Sequence, residues 1–572
     1  MNRMQRIGLR TLLLGLIFSL LFAGLLIRIF WLQAVDAAWL QEKATLVWNR
    51  NEVIRPVRGK IYDRHGEALA YDAPAYTVVA TLSKKDPNHI EDPKEVAEAL
   101  SPVLDTSTDI LYKQLNKDAY QVELRQGGWK VDAEKAKAIE ALELKGIHLM
   151  EETRRFYPNK ELAAHLLGYV DLEGKAKMGL ELSMDEWLRG KEGKNRFVKD
   201  ARGIPLPNGE LEYIPAEDGA DVYLTIDRTI QSFVEQALDR AQREYRPKRM
   251  VAIVSDPNSG EILAMSVRPG FDPNQYWKIE NYSNYAISYP FEPGSTFKII
   301  TLAAAIEEGL FRPGEKYLSG TYRVPGSRIP VRDHNAGRGW GTITFLEGVQ
   351  KSSNVLFAKL GVERLGKERL IRYIQQFGFT KKTGIELPGE VIGRVPPISE
   401  QIAPRDVAAI SFGQAVSVTP IQQVAAVGAV ANGGKVLPMT IVKQVKKKDG
   451  TVVYEGPKSE GKQVISEETS RQVREILETV VSEGSGQAAY LEGYRVAGKT
   501  GTAQKFDEKT GRLIKGEYIA SFIGFAPADH PKVLVYVALD APQEGHYGGT
   551  VAAPVFQDIM RNTLHYLRVP TE

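Results

Sequence analysis

The chain has 572 residues, 43% hydrophobic and 25% charged, with 51 Gly and 30 Pro, which excludes collagen-like, disordered and disulfide-scaffold classes. Its formal net charge of +3 carries no nucleic-acid footprint, and its length allows roughly three or four domains. Cysteine is absent and the 8 His are scattered, so disulfides, cysteine nucleophiles, thiolate metal sites and a zinc site are not expected, and no other cofactor is suggested.

Thr11 to Val35 is apolar except for Thr11, Ser19, Gln33 and a single charge, Arg28. A helix that crosses a bilayer needs about 20 such residues, and Arg28 can snorkel to an interface beside Trp31. Arg3, Arg6 and Arg10 precede the run, and the first acidic residue is Asp36. The positive-inside rule then makes residues 1–10 a cytoplasmic tail, 11–35 the anchor, and the remainder extracytoplasmic. The alternative is a cleaved signal peptide with Val35-Asp36-Ala37 as its site, although the apolar run exceeds the usual h-region of about 7–15 residues.

Residues 40–215 read as mixed α/β material with helices at Glu95–Leu100 and Asp132–Leu144 and no catalytic constellation. Gly203–Pro207 and Pro215–Gly219 mark a turn-rich boundary. Beyond it, Asp221–Ile226 alternates like a strand. Ile230, Phe233, Val234, Ala237, Leu238 and Ala241 then mark one helix face. Met250–Ser255 and Glu261–Ser266 flank Asp256-Pro-Asn-Ser-Gly260 and predict a hairpin. Onward to about residue 562, helix and strand patterns mix without βαβ regularity, which predicts an α+β fold. Lys443–Lys448 reads as a solvated hairpin tip.

Three short motifs carry chemistry. In Glu292-Pro-Gly-Ser295-Thr-Phe-Lys298, Pro-Gly ends a loop and Ser295–Glu308 favours helix until Gly309. Ser295 thus sits at a helix N-terminus, where free N–H groups and the helix dipole suit an oxyanion. Lys298, one turn on, can take the hydroxyl proton if burial or a second cation lowers its pKa. Alone, the pattern is far more often a Ser-capped helix with a surface Lys. Ser352-Ser353-Asn354 and Lys499-Thr500-Gly501-Thr502 follow in order, and this trio is the signature of penicillin-binding proteins and serine β-lactamases. Ser353 stands where the usual second motif has Asp. Gly493–Thr500 also matches the nucleotide-binding P-loop letter for letter. That reading needs a helix opening at Lys499-Thr500, whereas the letters around them read as a strand.

With these motifs the chain resembles the class B penicillin-binding proteins, monofunctional D,D-transpeptidases, over nearly all its length. Arg58–Gly66, Arg155–Pro158, His165–Gly168, Gly413–Pro420, Ser521–Pro527 and Gly548–Phe556 add to the resemblance. The first of these sets it apart from secreted β-lactamases. The texture is that of the division and sporulation branch, without the small repeated domains that follow the catalytic one in some members. The resemblance implies a pedestal domain over 40–215 and a transpeptidase domain over 220–565, an antiparallel sheet flanked by helices.

It also implies roles. Ser295 attacks the penultimate D-Ala carbonyl of a stem peptide, Lys298 is the base, and Ser352 relays a proton. Asn354 binds Lys298 and the substrate amide, while Lys499 depresses the pKa of Lys298. Thr500 or Thr502 holds the terminal carboxylate, Gly501 lets the substrate backbone approach, and the N–H groups of Ser295 and Thr502 form an oxyanion hole. The implied partners are nascent lipid-linked peptidoglycan, β-lactams and a polytopic membrane glycosyltransferase of the shape, elongation, division and sporulation type. The 58–66 segment is read either as a partner contact or as a charged hinge turn, and Tyr547–Gly549 either line the cleft or make a tight turn. Two alternatives stand beside this reading: a binding scaffold or sensor with a vestigial site, and a β-lactamase.

Overall fold

The apolar N-terminal run forms one helix, Arg3–Phe30, continued by a wider π turn over Trp31–Val35. The structure is a computed structural model that describes residues 3–40, 43, 49–199, 205–397, 399, 401–458, 460–506 and 512–571. Thr11–Val35 has a mean hydropathy of 2.5 and is not buried by protein. Among the described residues it is the one helix long and apolar enough to cross a membrane. A helix apolar on every face needs an apolar solvent, and lipid supplies one.

This helix belongs to a unit made of Met1–Val57 and Arg189–Gly219. Its sheet is antiparallel, with Asn49–Ile54 paired to Gly193–Lys199 and the latter to Pro205–Ile214. The turn expected at Gly203–Pro207 is corrected in part. Gly203 and Ile204 lie outside the described residues, but Pro205 and Pro207 belong to the third strand. That strand is at the sheet edge, the position in a sheet where proline is tolerated.

The second unit comprises Arg58–Leu188 and Ala220–Glu572. In its first part the long strand Ala68–Thr81 pairs with Ile147–Phe156, and helices Pro93–Leu104 and Ala133–Glu140 contribute to the same core. Asp92 and Asp132 cap these helices by accepting backbone N–H bonds. The second stops at Glu140, short of the expected Leu144, and Glu143 turns left-handed with φ 47°. Arg58-Gly-Lys-Ile-Tyr-Asp63 closes into a tethered turn. Asp63 is buried and accepts the N–H of His65 and Glu67, both at 2.9 Å, and of Arg228 at 3.2 Å.

The rest of the unit is built on a five-stranded antiparallel sheet. Helix α1 (Arg228–Tyr245), N-capped by Asp227, leads into hairpin β1 (Arg249–Ser255) and β2 (Ile262–Arg268). The sheet is completed from far along the chain by β3 (Ala497–Phe506), β4 (Leu513–Ala526) and β5 (Val533–Asp540). Its order is β2-β1-β5-β4-β3, so β3 is an edge. Both faces are buried by alternation: Met250, Ala252 and Val254 join one core, Val251 and Ile253 the other. The first core takes α1 and the C-terminal helix Gly548–Tyr566. The second takes Lys298–Glu307 and Pro420–Ala431. Helices thus cover both faces of an antiparallel sheet, the α+β architecture expected.

Lys443–Lys448 is only partly a hairpin tip. Lys443 and Lys446 sit in strand Val442–Lys446, which pairs with Asp221–Leu224, and Lys448 forms an ion pair with Asp221.

Candidate active site

The Ser295 turn is held by backbone geometry before any side chain acts. Gly294 has φ 58°, and a side chain there would lie 3.1 Å from Thr502 O. Its N–H donates to Gly413 O at 3.0 Å. Gly294–Phe297 is a tight 3₁₀ turn that feeds helix α2 (Lys298–Glu307). Thr296 Oγ1 donates to Gln423 Oε1 at 2.7 Å, and the Nε2 of Gln423 donates to Tyr536 Oη. Ser295 itself is half-buried, and its Oγ has no hydrogen bond to a described residue. Such contacts tighten when substrate arrives.

Lys298 points away from solvent, with 1% exposure. Its Nζ donates to Ser352 O and Asn354 Oδ1, each at 2.8 Å, and lies 3.2 Å from Ser352 Oγ. Lys499, also 1% exposed, donates from Nζ to the same Ser352 Oγ at 2.8 Å. The two nitrogens therefore lie within about 6 Å of each other, close enough for one charge to oppose the other. Burial, then the charge of Lys499, holds the Lys298 amine well below its usual range, with Asp333 pulling weakly the other way. Burial lowers Lys499 to about 7. The shift at Lys298 favours the neutral form of its amine, the form a general base needs. Its two N–H bonds go to Ser352 O and Asn354 Oδ1, leaving the lone pair to accept a proton.

The loop that brings Ser352 here is strained and braced. Ser352 has φ 56°, a left-handed conformation costing about 1–2 kcal/mol in a non-glycine residue. Ser353 Oγ caps helix α3 (Asn354–Lys359) by accepting Leu356 N and donates to Asp333 Oδ1 at 2.8 Å. Asp333 is 2% exposed and also accepts Val355 N and Gly320 N. The Ser at position 353 thus works together with a distant carboxylate, which nothing in the local sequence announces.

On the other wall, Lys499, Thr500, Gly501 and Thr502 run along the edge strand β3. No helix opens at Lys499-Thr500, so the P-loop reading has no structural basis. A side chain at Gly501 would meet Thr296 Cγ2 at 2.9 Å and Ser521 Oγ at 2.4 Å, so β3 packs directly on the serine turn. Thr502 Oγ1 accepts Gly548 N at 3.1 Å, the first residue of Gly548–Tyr566. A side chain at 548 would come within 2.3 Å of Gly501 O, so Tyr547–Gly549 form the tight joint between that helix and β3.

All eight predicted site residues therefore fall on two facing walls: the Ser295–Lys298 turn with the Ser352–Asn354 loop, and strand β3. Sequence reading missed Asp333, His334 and Gln423, which reach the site only by tertiary packing.

Burying Lys499 has a thermodynamic signature. Its folded pKa, about 7, is below the unfolded value of about 10.4, so between them the unfolded chain binds more protons. Stability should rise with pH across that window, by at most about 1.4 kcal/mol per unit from this group. The cost is present in full below pH 7 and gone above about 10.4. In Lys499→Met the slope should be shallower and stability at pH 7 higher. Urea unfolding of the full-length protein in detergent at pH 7, 8 and 9 measures both, and equal slopes would refute the assignment.

Comparison with known proteins adds a family. The model of the penicillin binding protein transpeptidase domain matches residues 250–561, and that of the penicillin-binding protein dimerisation domain matches 53–224. The chain is 44% identical to stage V sporulation protein D of Bacillus subtilis over 569 residues, 97% of this chain and 86% of that protein. It is 32% identical to the peptidoglycan D,D-transpeptidase FtsI of Escherichia coli K12 over 562 residues, 96% of this chain and 90% of that one. Among solved structures, penicillin-binding protein 3 of Mycobacterium tuberculosis in complex with aztreonam superposes with a TM-score of 0.70 at 29% identity. That match covers 91% of this chain and 98% of the other.

Proposed function

From this chain's membership of the class B penicillin-binding proteins, which makes it a membrane-anchored, serine-type peptidoglycan D,D-transpeptidase, we propose that Ser295 carries the acyl group between stem peptides. Its activity belongs to cell-wall synthesis in division or sporulation. The observation that carries the residue assignment is the shared Ser352 hydroxyl, contacted by Lys298 and by Lys499.

Lys298 takes the proton of Ser295 as Oγ attacks the D-Ala carbonyl, and the N–H groups of Ser295 and Thr502 meet the oxyanion. The proton passes through Ser352 to the departing D-Ala amine. Lys499 supplies positive potential, and Asn354 orients Lys298 and the substrate amide. Thr500 or Thr502 holds the terminal carboxylate. β3 is an edge of its sheet, so the donor peptide can add to it as an extra strand, while Gly501 lets β3 sit close against the serine turn. An amine from a second stem then attacks the acyl-enzyme and releases Ser295. β-Lactams enter by the same first step and leave slowly.

Thr11–Val35 is the anchor, with the arginine-bearing residues 1–10 in the cytoplasm and the catalytic unit outside. Residues 40–215 serve as a pedestal and 220–565 as the transpeptidase domain. The partner that supplies glycan strands is a polytopic glycosyltransferase in the same membrane. Nascent lipid-linked peptidoglycan is the substrate.

The test is covalent. Full-length protein in detergent, treated with a fluorescent penicillin, should gain one adduct that persists for many minutes, and peptide mapping should place it on Ser295. An adduct elsewhere would refute the nucleophile. Release within seconds would favour a β-lactamase, and no adduct on folded protein would favour a scaffold with a vestigial site.

A further inference from the structure

The Ser352–Asn354 loop is backed by a segment that no motif announces. Asn354 Nδ2 donates to Arg332 O at 3.0 Å, and Asp333 Oδ1 accepts from Ser353 Oγ at 2.8 Å and from Val355 N at 3.0 Å. The following residue, His334, is held beside the catalytic loop by these ties. Its ring lies 5.4 Å from that of Trp340, and Lys351 Nζ, one residue before Ser352, lies 5.8 Å from the same indole. Neither ring nitrogen of His334 has a hydrogen bond to a described residue, and part of the ring is open to solvent.

The charged groups around it are Lys298 from α2, Lys499 from β3, Asp333 in its own segment and Lys351 across Trp340. Burial of the packed face presses the imidazole below its usual 6.5, positive charge at Lys499 adds to this, and Asp333 pulls the other way.

The mechanism leaves one proton without a carrier. An acceptor amine arrives as an ammonium ion and ends as an amide N–H, so it sheds two protons. One returns to Ser295 Oγ through Lys298 and Ser352 as the C–N bond forms and the C–Oγ bond breaks. The other must reach water, yet Lys298 and Lys499 are each 1% exposed. Among the described residues beside the catalytic loop, His334 is an imidazole that is open to solvent and can exchange a proton with it.

We infer that His334 is the acceptor-side base, taking the first proton from the incoming ammonium and passing it to solvent; this rests on the transpeptidase reading. Acylation by the donor requires no such step, so the two half-reactions separate the role. The experiment uses full-length protein in detergent, a D-alanyl thioester as donor and a glycyl peptide as acceptor, whose α-amine has a pKa of about 8. In His334→Gln the ratio of aminolysis to acylation at pH 7 should fall at least about tenfold. By about pH 9.5 the amine is already free, and the mutant-to-wild-type ratio should climb back towards one.

His334→Asn should behave in the same way. A ratio unchanged at pH 7, a deficit equal at every pH, or parallel loss of both half-reactions would each overturn the role. Failure of the wild-type protein to form any acyl-enzyme would instead sink the transpeptidase reading, and the role of His334 with it.

Discussion

Lys298→Ala protein should take up penicillin no better than Ser295→Ala protein, with covalent labelling slowed at least about 10³-fold. Ser295→Ala removes the attacking atom, so it sets the floor. Lys298→Ala leaves that atom in place but without a base, and a serine hydroxyl alone is a poor nucleophile. A base must be able to lose its proton, and burial with the nearby Lys499 charge lowers the Lys298 pKa in that direction. Lys298→Arg separates that role from simple positive charge. A guanidinium cannot give up its proton in a protein, so this variant should be as inactive as Lys298→Ala. The rate of adduct formation with a fluorescent penicillin at pH 7 reads all three. Labelling by Lys298→Ala within tenfold of the wild-type rate would mean that another group is the base.

The parts of this site that were legible in the sequence are those in which one local element does the work. Ser295 and Lys298 share a turn, Ser352 and Asn354 share a loop, and Lys499–Thr502 share a strand, so short spacings reported them. The hairpin around Asp256–Gly260 was legible for the same reason, since its turn chemistry is local. Asp333 was not, because it joins Ser353 and Val355 from 20 and 22 residues away. Gln423 was not, because it reaches Thr296 across 127 residues. No periodicity or spacing rule covers such pairings. The strand at Pro205–Ile214 was misread at its start because prolines signal turns, and only its edge position in a sheet makes them admissible. The packing of Arg58–Leu188 in the unit that also contains Ala220–Glu572 was likewise invisible. It includes a parallel pairing of Ile61-Tyr62 with Val222-Tyr223, two short segments with nothing distinctive in either.

The same invisibility applies to Glu181, whose replacement by alanine should cost about 3–5 kcal/mol of stability, a large share of the 5–15 kcal/mol typical of a folded protein. Its side chain is 0% exposed and sits between two arginines. Arg58 Nε donates to Oε2 at 2.8 Å and Arg155 Nε to Oε1 at 2.6 Å, with Tyr157 Oη 3.3 Å from the latter oxygen. Arg58 also donates to Asp185 at 2.6 Å and Arg155 to Asp72 at 3.3 Å. Both outer carboxylates are partly open to water, at 27% and 16% exposure, so Glu181 is the buried anion for two buried cations. Removing it strands those cations, which costs more than the pair itself contributes. Arg58 is the first residue of its unit after Val57, and Asp185 lies close before the second crossing at Leu188, so the network ties both chain crossings to the strand that bears Arg155. If desolvated charge is the cause, Arg155→Met combined with Glu181→Leu should recover part of the loss, because it removes one of the two cations that loss of Glu181 strands. Urea unfolding of the full-length single and double variants in detergent decides it. A single-variant loss under about 1 kcal/mol, or a double variant worse than the sum of its parts, would show that the network is not the clamp described.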